Sequence, residues 1–163
     1  MEEIFKRVSV RKFLDKEVEE EKINNILKAA MQSPSAKNQQ AWEFYVVRDK
    51  NKLMELSTCT DYAMCVKNAP MAIVICYKKE SNAHEFIQID CAIAAENIML
   101  EAVSQGLGSV MIGVAPIDSN MINVRNVLDL DDSLEAFTII PIGYPDANKE
   151  VTDRFDLNKV HFV

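Results

Sequence analysis

Strands alternating with helices along the chain, a nearly continuous apolar run of strand length near its middle, and one long, broadly apolar helix after it predict a layered domain of the α/β or α+β class. With 163 residues, 48% of them hydrophobic, the chain has the size and apolar content of a single domain, 1–163, built around one substantial core. No G-x-G-x-x-G turn follows the first strand, so the layered fold is not expected to be a dinucleotide-binding one.

Residues 7–13 (RVSVRKF) come first. In extended backbone successive side chains alternate, so Arg7, Ser9 and Arg11 share one side and Val8 and Val10 take the other. Guanidinium forks match phosphate oxygens two at a time, and a hydroxyl between them can donate a further hydrogen bond. A helix would turn Ser9 away, so the three-residue grip requires an extended conformation. The same pattern also describes a solvated basic edge strand. From Val18 onward, Ile23, Ile26, Leu27, Ala30 and Met31 mark an amphipathic helix that stops at Pro34, with acidic residues crowded into its first turn. Residues 33–42 (SPSAKNQQAW) then supply turn formers and amide side chains, the composition of a loop that wraps a polar heterocycle.

Residues 42–48 (WEFYVVR) are aromatic and β-branched and read as a strand. Residues 49–58 and 61–68 read as short helices, each opening with an Asp that caps its first free amides. Residues 71–77 (MAIVICY) suit a strand buried on both faces, in the middle of the sheet. The longest helix, 84–105, is apolar around most of its circumference and ends at Gly106, where a left-handed cap forms easily; such a helix lies in a core or a subunit interface. A short strand at 109–114, a helix at 119–128 and a buried strand at 136–144 (AFTIIPIGY) complete the order. The tail, 146–163, has little periodicity but ends in Val160, Phe162 and Val163, which is the composition of a docking segment.

A net charge of −7 with 26% charged residues argues against a nucleic-acid footprint. The longest apolar stretch, 87–103, carries Asp90, Glu96, Asn97 and Glu101, which a bilayer would penalise, so no membrane association is expected. Residues 1–6 (MEEIFK) are charged and short, so no signal peptide is expected and the location expected is cytoplasmic. The four cysteines, Cys59, Cys65, Cys76 and Cys91, form no C-x-x-C pair and have no histidines at zinc-ligand spacing, so no metal is expected. Cys76 and Cys91 sit in apolar runs as small hydrophobes, whereas Cys59 and Cys65 lie in a more polar segment and read as exposed thiols without a catalytic role. Neither His84, at a helix start, nor His161, in the tail, has a triad context, and there is no G-x-S-x-G. Asp90 and Asn97, about two turns apart on the long helix, read as core hydrogen-bonding or interface residues that could also face a site.

The chain resembles the nitroreductase family of flavin mononucleotide (FMN) enzymes. The resemblance is carried by R-x-S-x-[RK]-x-F at 7–13, P-S-x-x-N-x-Q-P-W at 34–42, G-L-G-[ST]-x-x-[IL]-G at 106–113 (GLGSVMIG), P-x-G-x-P at 141–145 (PIGYP) and 154–161 (RFDLNKVH). It therefore runs in family order over essentially the whole chain. Val8 stands where a second arginine is frequent, Ala41 replaces the proline of the second motif, and the chain is short for the family, which leaves substrate identity open.

The resemblance implies an α+β, three-layer fold with a mixed, mainly antiparallel sheet flanked by helices and a long buried central helix. It implies a homodimer with FMN at the interface. The cofactor-binding set is Arg7, Val8, Ser9, Arg11 and Arg154 toward the phosphate, Pro34, Ser35, Ala36 and Asn38 from the other subunit, and Met111, Ile112 and Gly113 over the ring, with the Gly113 backbone near flavin N5. By periodicity alone Met111 and Ile112 equally fit an ordinary buried strand. The implied activity is ping-pong hydride transfer from NADH or NADPH through the flavin to a small-molecule acceptor, a nitroaromatic, quinone or flavin, with no protein nucleophile. The alternatives are a flavin-dependent reductase or dehydrogenase of a specialised metabolite, or a flavin-binding module without turnover.

Overall fold

The computed structural model describes residues 2–147 and 150–163. Five helices, α1 (Glu3–Lys6), α2 (Glu20–Met31), α3 (Lys50–Leu56), α4 (Ile87–Ser104) and α5 (Asp118–Leu128), surround the strands β1 (Trp42–Val47), β2 (Met71–Lys78), β3 (Gly108–Ser109), β4 (Ile112–Gly113) and β5 (Leu134–Gly143). The sheet runs β1-β2-β5-β3, with β4 also on β5, and every one of its ladders is antiparallel. A parallel bridge from Ser9 to Ser109 adds the mixed element at one edge.

Strand β2 lies between β1 and β5, as its unbroken apolar run requires, and Met71 to Tyr77 are all buried. Its side chains divide between two cores. Met71, Ile73, Ile75 and Tyr77 pack with Ile23 and Ile26 of α2 and Cys91, Ala94 and Ile98 of α4. Ala72, Val74 and Cys76 pack with Leu53 and Leu56 of α3, Ala63, Val66 and Val124 of α5. Helices thus cover both faces of the sheet, giving three layers. Strand β5 follows the same division except at Phe137, which the register skips between Ile75↔Thr138 and Cys76↔Ala136. The extra residue forms a β-bulge that keeps Phe137 on the α2–α4 face while Ala136 and Ile139 face the other.

Helix α4 buries Ile87, Asp90, Cys91, Ala94, Ala95, Ile98, Met99 and Ala102, yet Ile89 and Ile93 remain exposed on its outer side. It closes at Gly106, whose φ of 74° is the expected left-handed cap. Asp49 caps α3 through Lys52 N–H at 2.9 Å, as read. Asp61 does not cap a second α-helix. Residues Ala63–Asn68 form a 3₁₀ helix whose N-cap is Tyr62, with no side-chain cap, because Thr60 Oγ1 takes the Tyr62 N–H at 3.2 Å and moves the start one residue on. The single strand expected at 109–114 is two two-residue strands, since Val110 and Met111 leave the ladder between them. Helix α1, a single turn with no buried residue, has no counterpart in the sequence reading. The P-x-G-x-P segment is tied to both long helices. Tyr144 Oη donates to the Glu19 carboxylate at 2.7–2.8 Å, and Lys22 Nζ donates to Tyr144 Oη at 3.0 Å and to the Gln105 carbonyl at 2.8 Å.

Candidate active site

Residues 7–13 form neither a helix nor a ladder strand; they run along the sheet edge at β3, held by the Ser9↔Ser109 and Phe13↔Pro145 bridges. Val10 is the anchor. It is buried, its N–H donates to the Ser109 carbonyl at 2.9 Å, and its side chain fills the space above Gly108, where an added Cβ would lie 2.7–2.9 Å from three of its atoms. Gly108 is thus required for close approach.

The strip places its cations in two clefts. Arg7 and Val8 line a cleft of about 620 Å³ together with Arg154 and Thr152. Arg7 Nε also lies 3.4 Å from Glu96 Oε1 on α4. Arg11 lines a second cleft, of about 590 Å³, with Met111, Ile112 and Gly113. Arg7 and Arg11 thus border different clefts, with at most ~13 Å of extended chain between them. Ser9, between them, is half-buried.

In the second cleft, Gly113 is exposed and a Cβ built on it would meet nothing within 4 Å, so its backbone borders open space. Met111 is exposed, whereas Ile112 is only 4% exposed and its side chain belongs to the core beneath, with its carbonyl accepting from Thr138 Oγ1 at 2.7 Å. Lys12, Tyr62, Met64, Cys65, Asn68 and Val110 complete the wall and were not anticipated. Their signal was faint, since residues 61–68 carry no motif and only the 3₁₀ turn brings Tyr62 and Cys65 to the same rim. Burial pushes the Cys65 thiol up, opposed by a backbone hydrogen bond and the Arg11 charge. Cys59 is not an exposed thiol. It is buried, its Sγ donates to the Glu55 carbonyl at 3.6 Å, and burial pushes it up to about 11.

Pro34, Ser35, Ala36 and Asn38 line neither cleft. They belong to the α2–β1 loop, a 3₁₀ turn at Ala36–Asn38 with left-handed backbone at Lys37, Asn38 and Gln40 (φ 50°, 52° and 44°). Asp90 and Asn97 of α4 reach this loop from below: Asp90 accepts from Ala36 N–H at 3.0 Å and Gln39 Nε2 at 2.7 Å, and Asn97 donates to Ser33 Oγ at 2.8 Å. Both therefore act in hydrogen bonding; Asp90 lines neither of the two clefts, and Asn97 borders a separate, smaller hollow of about 290 Å³ with Glu3, Ile4 and Ala29.

Cationic residues thus surround one hollow, an open glycine backbone borders the next, and a polar loop lies apart from both. The Nitroreductase family model matches residues 4–64 and 58–144, and the chain belongs to that family. A provisionally named NADH dehydrogenase/NAD(P)H nitroreductase of Methanothermobacter thermautotrophicus is 39% identical over 162 residues, covering 99% of this chain and 85% of the relative. The FMN-dependent nitroreductase of Clostridium difficile R20291 superposes with a TM-score of 0.91 at 40% identity, covering 98% of this chain and 96% of that one. The NADPH-flavin oxidoreductase of Vibrio harveyi is 27% identical over 173 residues, covering 98% of this chain and 71% of the relative. Among the described residues no helix is long and apolar enough to cross a membrane.

Proposed function

We propose that the protein is an FMN-dependent NAD(P)H oxidoreductase acting on nitroaromatic, quinone or flavin acceptors, a cytoplasmic homodimer in which 1–163 works as one domain. The observation that carries the reading is the strip from Arg7 to Arg11, with two arginines around one cleft and an open glycine backbone in the other. Arg7 and Arg154 suit the phosphate, because two guanidinium forks can offer paired donors to a dianion. Arg7 would then divide its donors between phosphate and Glu96. Arg11, in the cleft of Met111–Gly113, serves the ring end, where a fixed cation favours electron-rich states of the cofactor. Val8 contributes apolar wall beside Arg7, and Ser9 lies between the two ends.

FMN, when bound, supplies hydride acceptance from the nicotinamide donor and return of reducing equivalents to the acceptor. The chain supplies binding, orientation and shielding. Gly113 admits a ring close to backbone, and exposed Met111 and Tyr62 offer apolar cover at the mouth. The reading of a dimer is supported by surface that one copy leaves bare. Phe86, Ile89 and Ile93 lie exposed at one side of α4, and Phe155, Leu157 and Phe162 of the tail are exposed as well. On this reading Pro34, Ser35, Ala36 and Asn38 meet the flavin of the partner copy, consistent with their absence from both clefts.

The test is a visible spectrum of protein supplemented with FMN and desalted, followed by anaerobic NADH and then NADPH. Retained flavin that bleaches with either donor is expected. Loss of all flavin on desalting refutes the site, and retained flavin that neither donor bleaches refutes the oxidoreductase reading in favour of a binding module. Arg154→Ala is expected to weaken FMN binding about 10- to 100-fold through loss of charge-assisted hydrogen bonds; unchanged affinity would remove Arg154 from the phosphate site.

A further inference from the structure

We infer that Asp90 is the positioning residue that holds the α2–β1 loop in its flavin-facing shape, acting through Gln39; the inference rests on the reading above that Pro34 to Asn38 contact FMN. The loop's own hydrogen bonds, Asn38 N–H to the Ser35 carbonyl at 2.9 Å and Gln39 N–H to the Ala36 carbonyl at 3.0 Å among them, close a turn whose backbone is unfavourable. Lys37, Asn38 and Gln40 all have left-handed backbone without being glycine, at about 1 kcal/mol or more each. Such backbone persists only where surrounding contacts impose it.

Asp90 supplies those contacts. It is 3% exposed, and no ion pair among the described residues includes it. One carboxylate oxygen accepts the Ala36 N–H, inside the strained turn, and the other accepts Gln39 Nε2. Gln39 is itself oriented by Ala83, just before α4: its Oε1 accepts the Ala83 N–H at 2.9 Å and its Nε2 donates to the Ala83 carbonyl at 3.1 Å. Ala83 therefore dictates which end of the amide faces Asp90, and that end is a donor. Only an acceptor fits at both points where Asp90 meets the loop. A second tether, Ser35 Oγ accepting from Gln40 N–H at 3.1 Å, closes the turn from within.

A buried carboxylate without a counter-ion is a costly way to close a loop that an apolar contact could cover. Its use here is directional. Two acceptors on one rigid helix fix Ala36 and Gln39 together, leaving Pro34 and Asn38 exposed toward whatever docks there. Asp90→Asn is a sharp probe, because the isosteric amide must set its NH₂ against the Ala36 N–H or against the Gln39 NH₂, or else force Gln39 to flip and lose both hydrogen bonds to Ala83.

The experiment measures FMN affinity by fluorescence quenching and amide hydrogen exchange over residues 33–40 of the FMN-free protein, for wild type, Asp90→Asn, Gln39→Met and the double variant. Both single variants are expected to exchange faster in the loop and to bind FMN about tenfold or more weakly. The double variant is expected to be no worse than the poorer single, since both break one linkage. If Asp90→Asn does not fold, Gln39→Met alone decides, because its side chain is half-exposed. Wild-type affinity and exchange in the Gln39→Met or folded Asp90→Asn protein would overturn the inference. So would faster loop exchange with unchanged FMN affinity, which would make the latch purely structural. A wild-type protein that binds no FMN would instead refute the functional reading and take the inference with it.

Discussion

Gly108→Ala tests how the sheet edge holds the Arg7–Arg11 strip. The added Cβ would lie 2.7, 2.8 and 2.9 Å from Val10 Cγ2, Cβ and Cγ1, distances that real Cβ atoms do not show. Valine is short and branched, so no side-chain torsion clears all three atoms and the backbone must move. Two effects oppose each other. Overpacking of a buried site costs about 1–3 kcal/mol, while replacing glycine by alanine restricts the unfolded chain and returns about 0.4–1 kcal/mol. Overpacking wins, leaving a net loss of about 1–2 kcal/mol, or a fall in Tm of about 2–8 °C for a chain of this size. Displacing Val10 also moves Arg11, the next residue, so FMN affinity should fall with stability. The assay is thermal unfolding of Gly108→Ala, Val10→Ala and the double variant, with FMN titration of each. Because the two sites touch, the double variant should be less destabilised than the sum of the singles. A Gly108→Ala protein with unchanged Tm, or strictly additive losses, would refute the close-approach argument.

At pH 8 a thiol reagent should label one cysteine per chain quickly, Cys65, because Cys59 is pushed up to about 11 and Cys76 and Cys91 to about 12 by burial; FMN should slow that labelling, and fast labelling of a second site would contradict the burial. The Glu19 carboxyl is held below the usual carboxylate range chiefly by the Tyr144 hydroxyl. A depressed pKa gives stability that is present above the ordinary carboxylate value of about 4.3 and lost as pH falls through the lower folded value. The Tm difference between wild type and Tyr144→Phe should therefore narrow as pH is lowered from 6 toward 3; a constant difference would sink the assignment.

The elements that were legible are those in which local pattern and burial agree. The run 71–77 is buried on both faces and central in the sheet, and the 84–105 helix differs only in a 3₁₀ first turn at His84–Phe86. Strands β3 and β4 were not separable, because two residues carry no periodicity and only their pairing with β5 defines them. Cys59 sits among polar neighbours, yet Asn123 of α5 donates to its carbonyl at 3.3 Å and the layer closes over it. The motif residues pointed to a basic strip and a polar loop, but not to the two clefts that Arg7 and Arg11 border, one walled by Ile4 and Phe5 of α1 and the other by Met64, Cys65 and Asn68 of the 3₁₀ helix at Ala63–Asn68. The role of Asp90 was hidden for a similar reason: an acid in an apolar helix is ambiguous until the loop it meets, 54 residues earlier, is in place.

Strand β2 serves two cores at once, Ile73 and Ile75 toward α2 and α4, Val74 and Cys76 toward α3 and α5. Substitutions on opposite faces that lie more than ~7–10 Å apart and share no partner should combine with little interaction, Met121, which packs against both cores, being where the two layers meet. On the proposed reading, substitutions at Tyr62 or Cys65, at the mouth of the Gly113 cleft, should change access to that cleft without loosening the α2–β1 loop, which Asp90 of α4 holds from the other layer. A partition made by alternating side chains thus puts the mouth of the cleft and the support of the loop in separate layers of one sheet.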